Sequence, residues 1–295
     1  MKRVGIANYQ SKLKAIHEIL GVPLQFFVSL ADDKYRKPRT GMWHEHIVKH
    51  NDSREIDLAE SRYIGDAAGR KACKGKKADF SNSDRFFAEN LGIPFMLPEE
   101  FWLGEQPPSK DLVNPPAIVP SNIPAMDKSR FSKASTKEIV IMVGFPASGK
   151  SYISQQFFAE MGYEVVNRDV HGTWQKCCSL MVGHLEKGKS VVVDNTNVDK
   201  ESRSRYILAA KKHDANIKIR AFLMQTSSDQ CKHNELYRQL TGSNHQAIST
   251  MVLNMMKKKF EEPEKSEGFD EIIKVPFQID KDGVDPIFYK HLLEK

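Results

Sequence analysis

Short apolar runs recur through the second half of the chain, each followed by a stretch long enough to form a helix. EIVIMV (138 to 143), YEVVN (163 to 167), KSVVVDN (189 to 195), IKIRAFLM (217 to 224) and EIIKVPFQI (271 to 279) are rich in β-branched residues. Between them lie helix-compatible segments such as SYISQQFFAEM (151 to 161). Strands this continuously apolar are expected in a parallel sheet covered on both faces, with ligands beyond the strand carboxyl ends. The first half is sparser, with QFFVS (25 to 29) and YIG (63 to 65) as its clear strand candidates. Between Glu105 and Lys137 six prolines sit amid Ser, Lys and Asn without apolar periodicity, which is the composition of a linker. The pattern predicts a partial α/β domain over 1–104, a Pro-rich linker over 105–136 and a complete α/β domain over 137–295.

Composition narrows this only a little. The chain has 295 residues, enough for two ordinary domains, and 44 basic against 38 acidic residues give a net charge of +6, which suits an anionic partner. Cys73, Cys177, Cys178 and Cys231 have neither disulfide-framework nor zinc-ligand spacing, so a reducing, intracellular compartment is expected. No apolar run approaches membrane-spanning length, and MKRVGIANYQ lacks the apolar core of a secretory signal.

Candidate chemistry concentrates at the predicted strand ends. The first strand of the second half feeds Gly144-Phe145-Pro146-Ala147-Ser148-Gly149-Lys150-Ser151, which satisfies the GxxxxGK[ST] pattern ahead of a helix. Glycines let backbone amides turn inward around a polyphosphate, and the helix N-terminus points its dipole at the charge. Lys150 is then expected at the β- and γ-phosphates of ATP, and Ser151 on Mg²⁺. The next two strands end in Asn167-Arg168-Asp169 and Asp194-Asn195-Thr196-Asn197, placing an aspartate at the same sheet edge. Asp169 fits a general base for an attacking hydroxyl, with a helix N-cap as the alternative. For Asp194 a metal-shell, an acceptor-orienting and a plain strand-end role all remain open. The residues by themselves specify a phosphoryl transferase without naming its acceptor.

GFPASGKS, VNRDVHGTWQ, VVVDNTN and HNELYRQLTGSNH, taken in order, resemble the kinase domain of the polynucleotide kinase 3′-phosphatase family. The resemblance implies ATP- and Mg²⁺-dependent phosphorylation of a 5′-hydroxyl on DNA ends in repair, a nuclear location, and Asp169 as base. It also implies a lid of the form HNxRFRE, in which Leu236 replaces the first arginine and Arg238 retains the second. The basic residues Lys200, Arg203, Arg205, Lys211, Lys212, Lys218 and Arg220 are candidates to track a DNA backbone, as is the cluster Lys257-Lys258-Lys259, with solvated helix faces as the alternative.

In the first half, Tyr35-Arg36-Lys37-Pro38, YIGDAAGR (63 to 70) and DFSNSDR (79 to 85) resemble the later motifs of the haloacid dehalogenase-type phosphatase domain of the same family. The resemblance assigns Lys37 to steadying a phospho-aspartate and Asp66 to Mg²⁺, with Asp79 and Asp84 as further acidic members. Its DxDGT nucleophile motif has no counterpart before Lys37, so this half is expected to be an inactive, poorly stable phosphatase remnant. Asp280-Lys281-Asp282-Gly283-Val284 fits the nucleophile pattern loosely, but a DG turn explains it more simply. The basic run from Arg70 to Lys77 reads as a solvated loop, with nuclear import or DNA contact as the alternative.

Overall fold

Aromatic and apolar side chains around residues 63–97 organise the amino-terminal part of the chain. The computed structural model describes residues 6–52, 54–73, 75–242, 247–282 and 284–294, so Lys74, Ser243, Asn244, His245 and Gly283 of the runs above lie outside the described residues. Two compact units emerge, the first built mainly from the chain up to Asn114 and the second spanning Pro115–Leu293. The first begins with helix α1 (Ile6–Leu20), none of whose side chains is buried. Strand β1 (Tyr63–Ile64) pairs in parallel with β2 (Phe95–Met96), and α2 (Ser83–Leu91) crosses between them. Phe86, Phe87 and Ala88 of α2 are buried, and the helix stops at Gly92, whose φ of 75° a side chain would disfavour. Helix α3 (Pro98–Leu103) follows.

QFFVS is not a strand. It pairs with no other segment among the described residues, and Phe26 and Val28 are 43% and 38% exposed. An isolated apolar pentapeptide has no backbone partner to hold it extended, so its pattern misleads. Strand β2, only two residues long, went unpredicted.

The second unit carries five strands, all parallel, in the order β4-β5-β3-β6-β7. These are β3 (Glu138–Val143), β4 (Glu164–Val166), β5 (Val191–Val193), β6 (Lys218–Met224) and β7 (Glu271–Val275). Helix α4 (Lys150–Ile153), continuing into a π-helical turn (Ser154–Ala159), links β3 to β4. Helices α5 (Arg168–His171) and α6 (Trp174–Glu186) link β4 to β5, and α7 (Lys200–His213) links β5 to β6. Helices α8 (Ser228–Thr241) and α9 (Thr250–Lys259) lie between β6 and β7.

Alternation along β3 explains the two-faced core. Ile139, Ile141 and Val143 pack with Met181, Leu185, Tyr206 and Ile207 on one face, while Val140 and Met142 pack with Ile153, Phe158 and Phe222 on the other. All six residues of β3 are buried, as a central parallel strand requires. One polar exception lies at the amino edge of the sheet, where Arg220 of β6 forms a buried ion pair with Glu138 and donates from Nη2 to Ser132 O at 2.9 Å.

Two boundaries differ from expectation. Residues 115–136 belong to the second unit, because Phe131 is buried against Phe157 (ring centroids 4.7 Å apart) and Ile123 packs with Ile279 and Phe288. Widely spaced anchors of this kind leave no periodicity to read. Strand β7 ends at Val275 rather than Ile279, since Pro276 has no N–H to continue the ladder.

Candidate active site

The loop after β3 is shaped by contacts that leave little choice of residue. A Cβ on Gly144 would lie 2.8 Å from Met224 Cβ and 2.9 Å from Ser148 Oγ, and Ala147 and Gly149 have φ of 57° and 99°. The turn after β6 and helix α8 hold the loop by its carbonyls. Thr226 Oγ1 donates to Ser148 O at 2.8 Å, and Asn234 Nδ2 donates to Ala147 O at 2.8 Å. Gly144 N donates to Thr196 O at 2.9 Å, tying the loop to the turn after β5.

Lys150 folds back over this loop. Its Nζ donates to Phe145 O at 2.7 Å and lies 3.5 Å from Ser148 Oγ. Burial pushes its ammonium down to about 8, against the pull of the Asp194 and Asp169 carboxylates, with the Arg238 guanidinium adding to the push. Four candidate residues, brought from β5, α4, α5 and α8, thus share one electrostatic neighbourhood.

Asp194 is buried, its N–H on Val166 O at 2.9 Å and its Oδ2 accepting from Asn167 Nδ2 at 3.1 Å. Asn167 is also the N-cap of α5, its Oδ1 accepting from Asp169 N at 2.6 Å. The capping alternative for Asp169 therefore fails. Asp169 sits inside the first turn of α5, exposed, and its carboxylate takes no hydrogen bond among the described residues.

A cleft of about 610 Å³ opens on the other side of the loop. Ala147 to Ile153, with Asn234, Tyr237 and Arg238 of α8, form one side, and Val275 to Asp280 beyond β7 form the other. Ser151 lies in this cleft at the start of α4. One hydroxyl at Ser151 and one carboxylate at Asp194 suit Mg²⁺, which keeps most of its ligands as water and phosphate oxygens. No cluster of three or more His, Cys, Asp or Glu ligands occurs among the described residues.

The first unit assembles a different set. Lys37 Nζ donates to Tyr63 Oη at 2.8 Å and pairs with Asp84, whose Oδ2 also accepts from Ala67 N at 3.0 Å. Burial pulls the Lys37 ammonium down, but the hydrogen bonds to Asp84 and Tyr63 outweigh it and hold the group above its ordinary value. A Cβ on Gly65 would strike Asp84 Cγ at 2.6 Å, which explains the glycine of the Gly-Asp pair. Asp66 is exposed and its carboxylate has no partner among the described residues. Asp79 lies apart from Lys37, bound by Arg70 at 2.9 Å and by the Ala68 and Arg70 amides at 3.2 and 2.9 Å. Asp280 pairs with Lys128 at 3.0 Å and lines the same cleft as Ser151, and Gly283 of the expected DG turn lies outside the described residues.

The proposed DNA track is corrected by burial. Arg203 is 0% and Arg220 9% exposed, each locked to a glutamate, and Lys211 donates to Ile217 O at 2.7 Å. Neither arginine is available to a phosphate backbone. Leu236, in place of the first lid arginine, is half-buried, while Arg238 two residues on is exposed. The roles of Thr226, Asn234 and Asn167 escaped the sequence reading; Asn167 and Asn234 stand within the NRD and HNELYRQ runs, whereas nothing marks Thr226.

A parallel α/β sheet with this loop at the carboxyl end of its central strand defines a P-loop phosphotransferase of the kinase class. The family described as polynucleotide kinase 3 phosphatase matches residues 2–102, and one described as an AAA domain matches residues 172–263. A bifunctional polynucleotide phosphatase/kinase of Schizosaccharomyces pombe is 38% identical over 280 residues, 94% of this chain and 66% of that protein. A putative bifunctional polynucleotide phosphatase/kinase of Acanthamoeba polyphaga mimivirus is 34% identical over 293 residues, 91% of this chain and 69% of that protein. The chain belongs to the bifunctional polynucleotide phosphatase/kinase family, and spans about two thirds of the length of these relatives. Among solved structures, Chaetomium thermophilum Kti12 in complex with ADP-AlF3 overlaps 51% of this chain and 93% of its own, at 12% identity and a TM-score of 0.39.

Proposed function

We propose that this chain transfers the γ-phosphoryl group of ATP to the 5′-hydroxyl of a polynucleotide, with DNA ends in nuclear repair as the acceptor. The observation that carries the reading is a phosphate loop whose Lys150 and Ser151 share one cleft with Arg238, beside Asp194 and Asp169 held together by Asn167, in a chain whose relatives are named polynucleotide phosphatase/kinases. The cleft beside Ser151 receives the nucleotide, with its apolar far wall at Val275 and Phe277 suited to the base. Ser151 and Asp194 would hold Mg²⁺, which would supply neutralisation of the phosphoryl charge. The exposed Asp169 carboxylate takes the proton of the attacking 5′-hydroxyl as its oxygen bonds to the γ-phosphorus and the bond to ADP breaks. Lys150 and Arg238 stabilise charge on the oxygens of the transferred group. Asn167 holds the Asp194 carboxylate and the start of α5 together, so metal side and base side keep one geometry.

The first unit, read as a haloacid dehalogenase-like phosphatase site, contributes Lys37, Asp84 and Asp66. Incubating the protein with a 3′-phosphorylated oligonucleotide and measuring released phosphate tests for turnover at this site.

The kinase reading is tested by labelling a 5′-hydroxyl oligonucleotide with γ-labelled ATP. Asp169→Asn is expected to lower the rate by roughly 10²–10⁴-fold with nucleotide binding retained. Unchanged labelling removes Asp169 from the base role. Labelling of RNA or of a small metabolite in preference to DNA replaces the acceptor, and end binding without any labelling replaces the enzyme with a scaffold, the reading Leu236 would then explain.

A further inference from the structure

Asp194 reaches the site on a turn whose backbone is fastened with unusual care. Asn197 has φ of 46° and donates from Nδ2 to Met142 O at 2.8 Å, so the turn is stapled to the end of β3. The fastening on its other side comes from Arg203, in the first turn of α7. This arginine is 0% exposed, and four of its N–H groups have partners. Nε and Nη2 donate to Glu267 at 2.7 and 2.8 Å, and Nη1 donates to Asn197 O at 3.1 Å and Glu261 O at 2.9 Å.

Helix packing alone does not call for this. A buried guanidinium–carboxylate pair carries a desolvation penalty that apolar residues of similar volume avoid. What an apolar residue lacks is a rigid fork that binds two carbonyls from separate segments and a carboxylate from a third. Glu261 is the far segment. It follows Phe260, whose ring lies 5.5 Å from Phe145 of the phosphate loop, and its N–H donates to Val198 O at 2.8 Å. The foot of α9 and the Asp194 turn are thus joined through one side chain.

We propose that Arg203 is a positioning residue of the kinase centre, a clamp that fixes the Asp194–Asn197 turn and the foot of α9 against the phosphate loop. The proposal rests on the phosphotransfer reading above, and Arg220 supplies an internal control. Arg220 and Glu138 form an equally buried pair, but at the amino end of β3, roughly 20 Å of extended strand from Gly144. Lysine at either position keeps the charge and loses the fork.

The experiment compares Arg203→Lys with Arg220→Lys at a temperature where circular dichroism shows both folded. Arg203→Lys is expected to lower kcat for 5′-hydroxyl labelling by roughly 10- to 100-fold with KM for ATP changed less than about threefold. Arg220→Lys is expected to lower the melting temperature while kcat stays within about threefold of wild type. Hydrogen exchange provides a readout independent of turnover: Arg203→Lys should expose the amides of 194–200 and 260–267, and Arg220→Lys should not. Glu267→Gln, which preserves both carbonyl bonds, serves if Arg203→Lys fails to fold, and should open the 260–267 amides first. Equal loss of kcat in the two arginine variants, or unchanged exchange in both segments, overturns the clamp. A wild-type protein that does not label 5′-hydroxyl ends overturns the functional reading instead, leaving the exchange data to decide on Arg203.

Discussion

The two units each bring a lysine to a strand edge, and the two lysines are in opposite states. Lys37 is held between Asp84 and Tyr63 and its ammonium sits above its ordinary value. Lys150 is buried with, among the described residues, a carbonyl and a hydroxyl of its own loop as hydrogen-bond partners, and its ammonium is pushed down to about 8. The first charge is satisfied from within the fold. The second is disfavoured by burial, so an arriving anion stabilises it further, which is what a polyphosphate site requires. The surroundings match this contrast: the second unit packs both faces of β3, whereas the first leaves all of α1 unburied.

Removing Lys150 is the strongest way to break the comparison. Lys150→Ala is expected to reduce phosphoryl transfer by roughly 10³-fold or more, measured with γ-labelled ATP, because the main cation over the transferred group is lost. If transfer persists near the wild-type rate, the buried lysine is structural and the contrast with Lys37 loses its functional meaning.

Next in size is a proton effect. The ordinary lysine value is 10.5 and the folded value is about 8, so between these pH values the unfolded chain binds more protons than the folded one. The nucleotide-free protein accordingly gains stability from this group as pH rises through that window. Bound polyphosphate reverses the preference, so nucleotide binding above pH 8 is expected to take up as much as one proton per site. Affinity should then fall with rising pH, approaching about tenfold per unit. Calorimetry in buffers of differing ionisation enthalpy measures the uptake directly, and its absence would mean that Lys150 is already charged at pH 9.

The smallest effect belongs to Lys37. Lys37→Ala leaves the buried Asp84 with a tyrosine and an amide but no cation, and is expected to cost the first unit about 1–2 kcal/mol, discounted because Lys37 is partly exposed. Thermal unfolding followed by exchange in residues 63–97 would detect it. No change there would show that Tyr63 and the Ala67 amide suffice for Asp84.

Legibility of the sequence followed the density of local signal. The central strands, the phosphate loop and the edge aspartates were readable because each is announced by a contiguous run: EIVIMV, GFPASGKS, NRD, DNTN. Single anchors were not. Phe131 stands in a proline-rich stretch yet is buried in the core, and Arg203 and Arg220 look like ordinary solvated arginines although their glutamates lie 64 and 82 positions away. QFFVS erred the other way, since apolar alternation names a strand only where a neighbouring strand exists to receive it. At the site, Asp169 was a candidate from its run alone, but the work of Asn167 as cap and Asp194 partner needed coordinates, because a single asparagine bonds in two directions there.

The strand order β4-β5-β3-β6-β7 has a consequence for synthesis on the ribosome. The first strand of the sheet to emerge, β3, is the one that ends up in the middle, so the phosphate loop leaves the exit tunnel well before either strand that flanks it. Its lateral support arrives with β5 at 191–193 and β6 at 218–224, and the side chains gripping its carbonyls, Thr226 and Asn234, come later still. A nascent chain halted before residue 234 carries the whole GxxxxGK[ST] motif without a cradle to form from it. Nucleotide binding thus reports that translation has passed this point, and ribosome-bound fragments of increasing length should acquire it abruptly rather than when the motif itself appears.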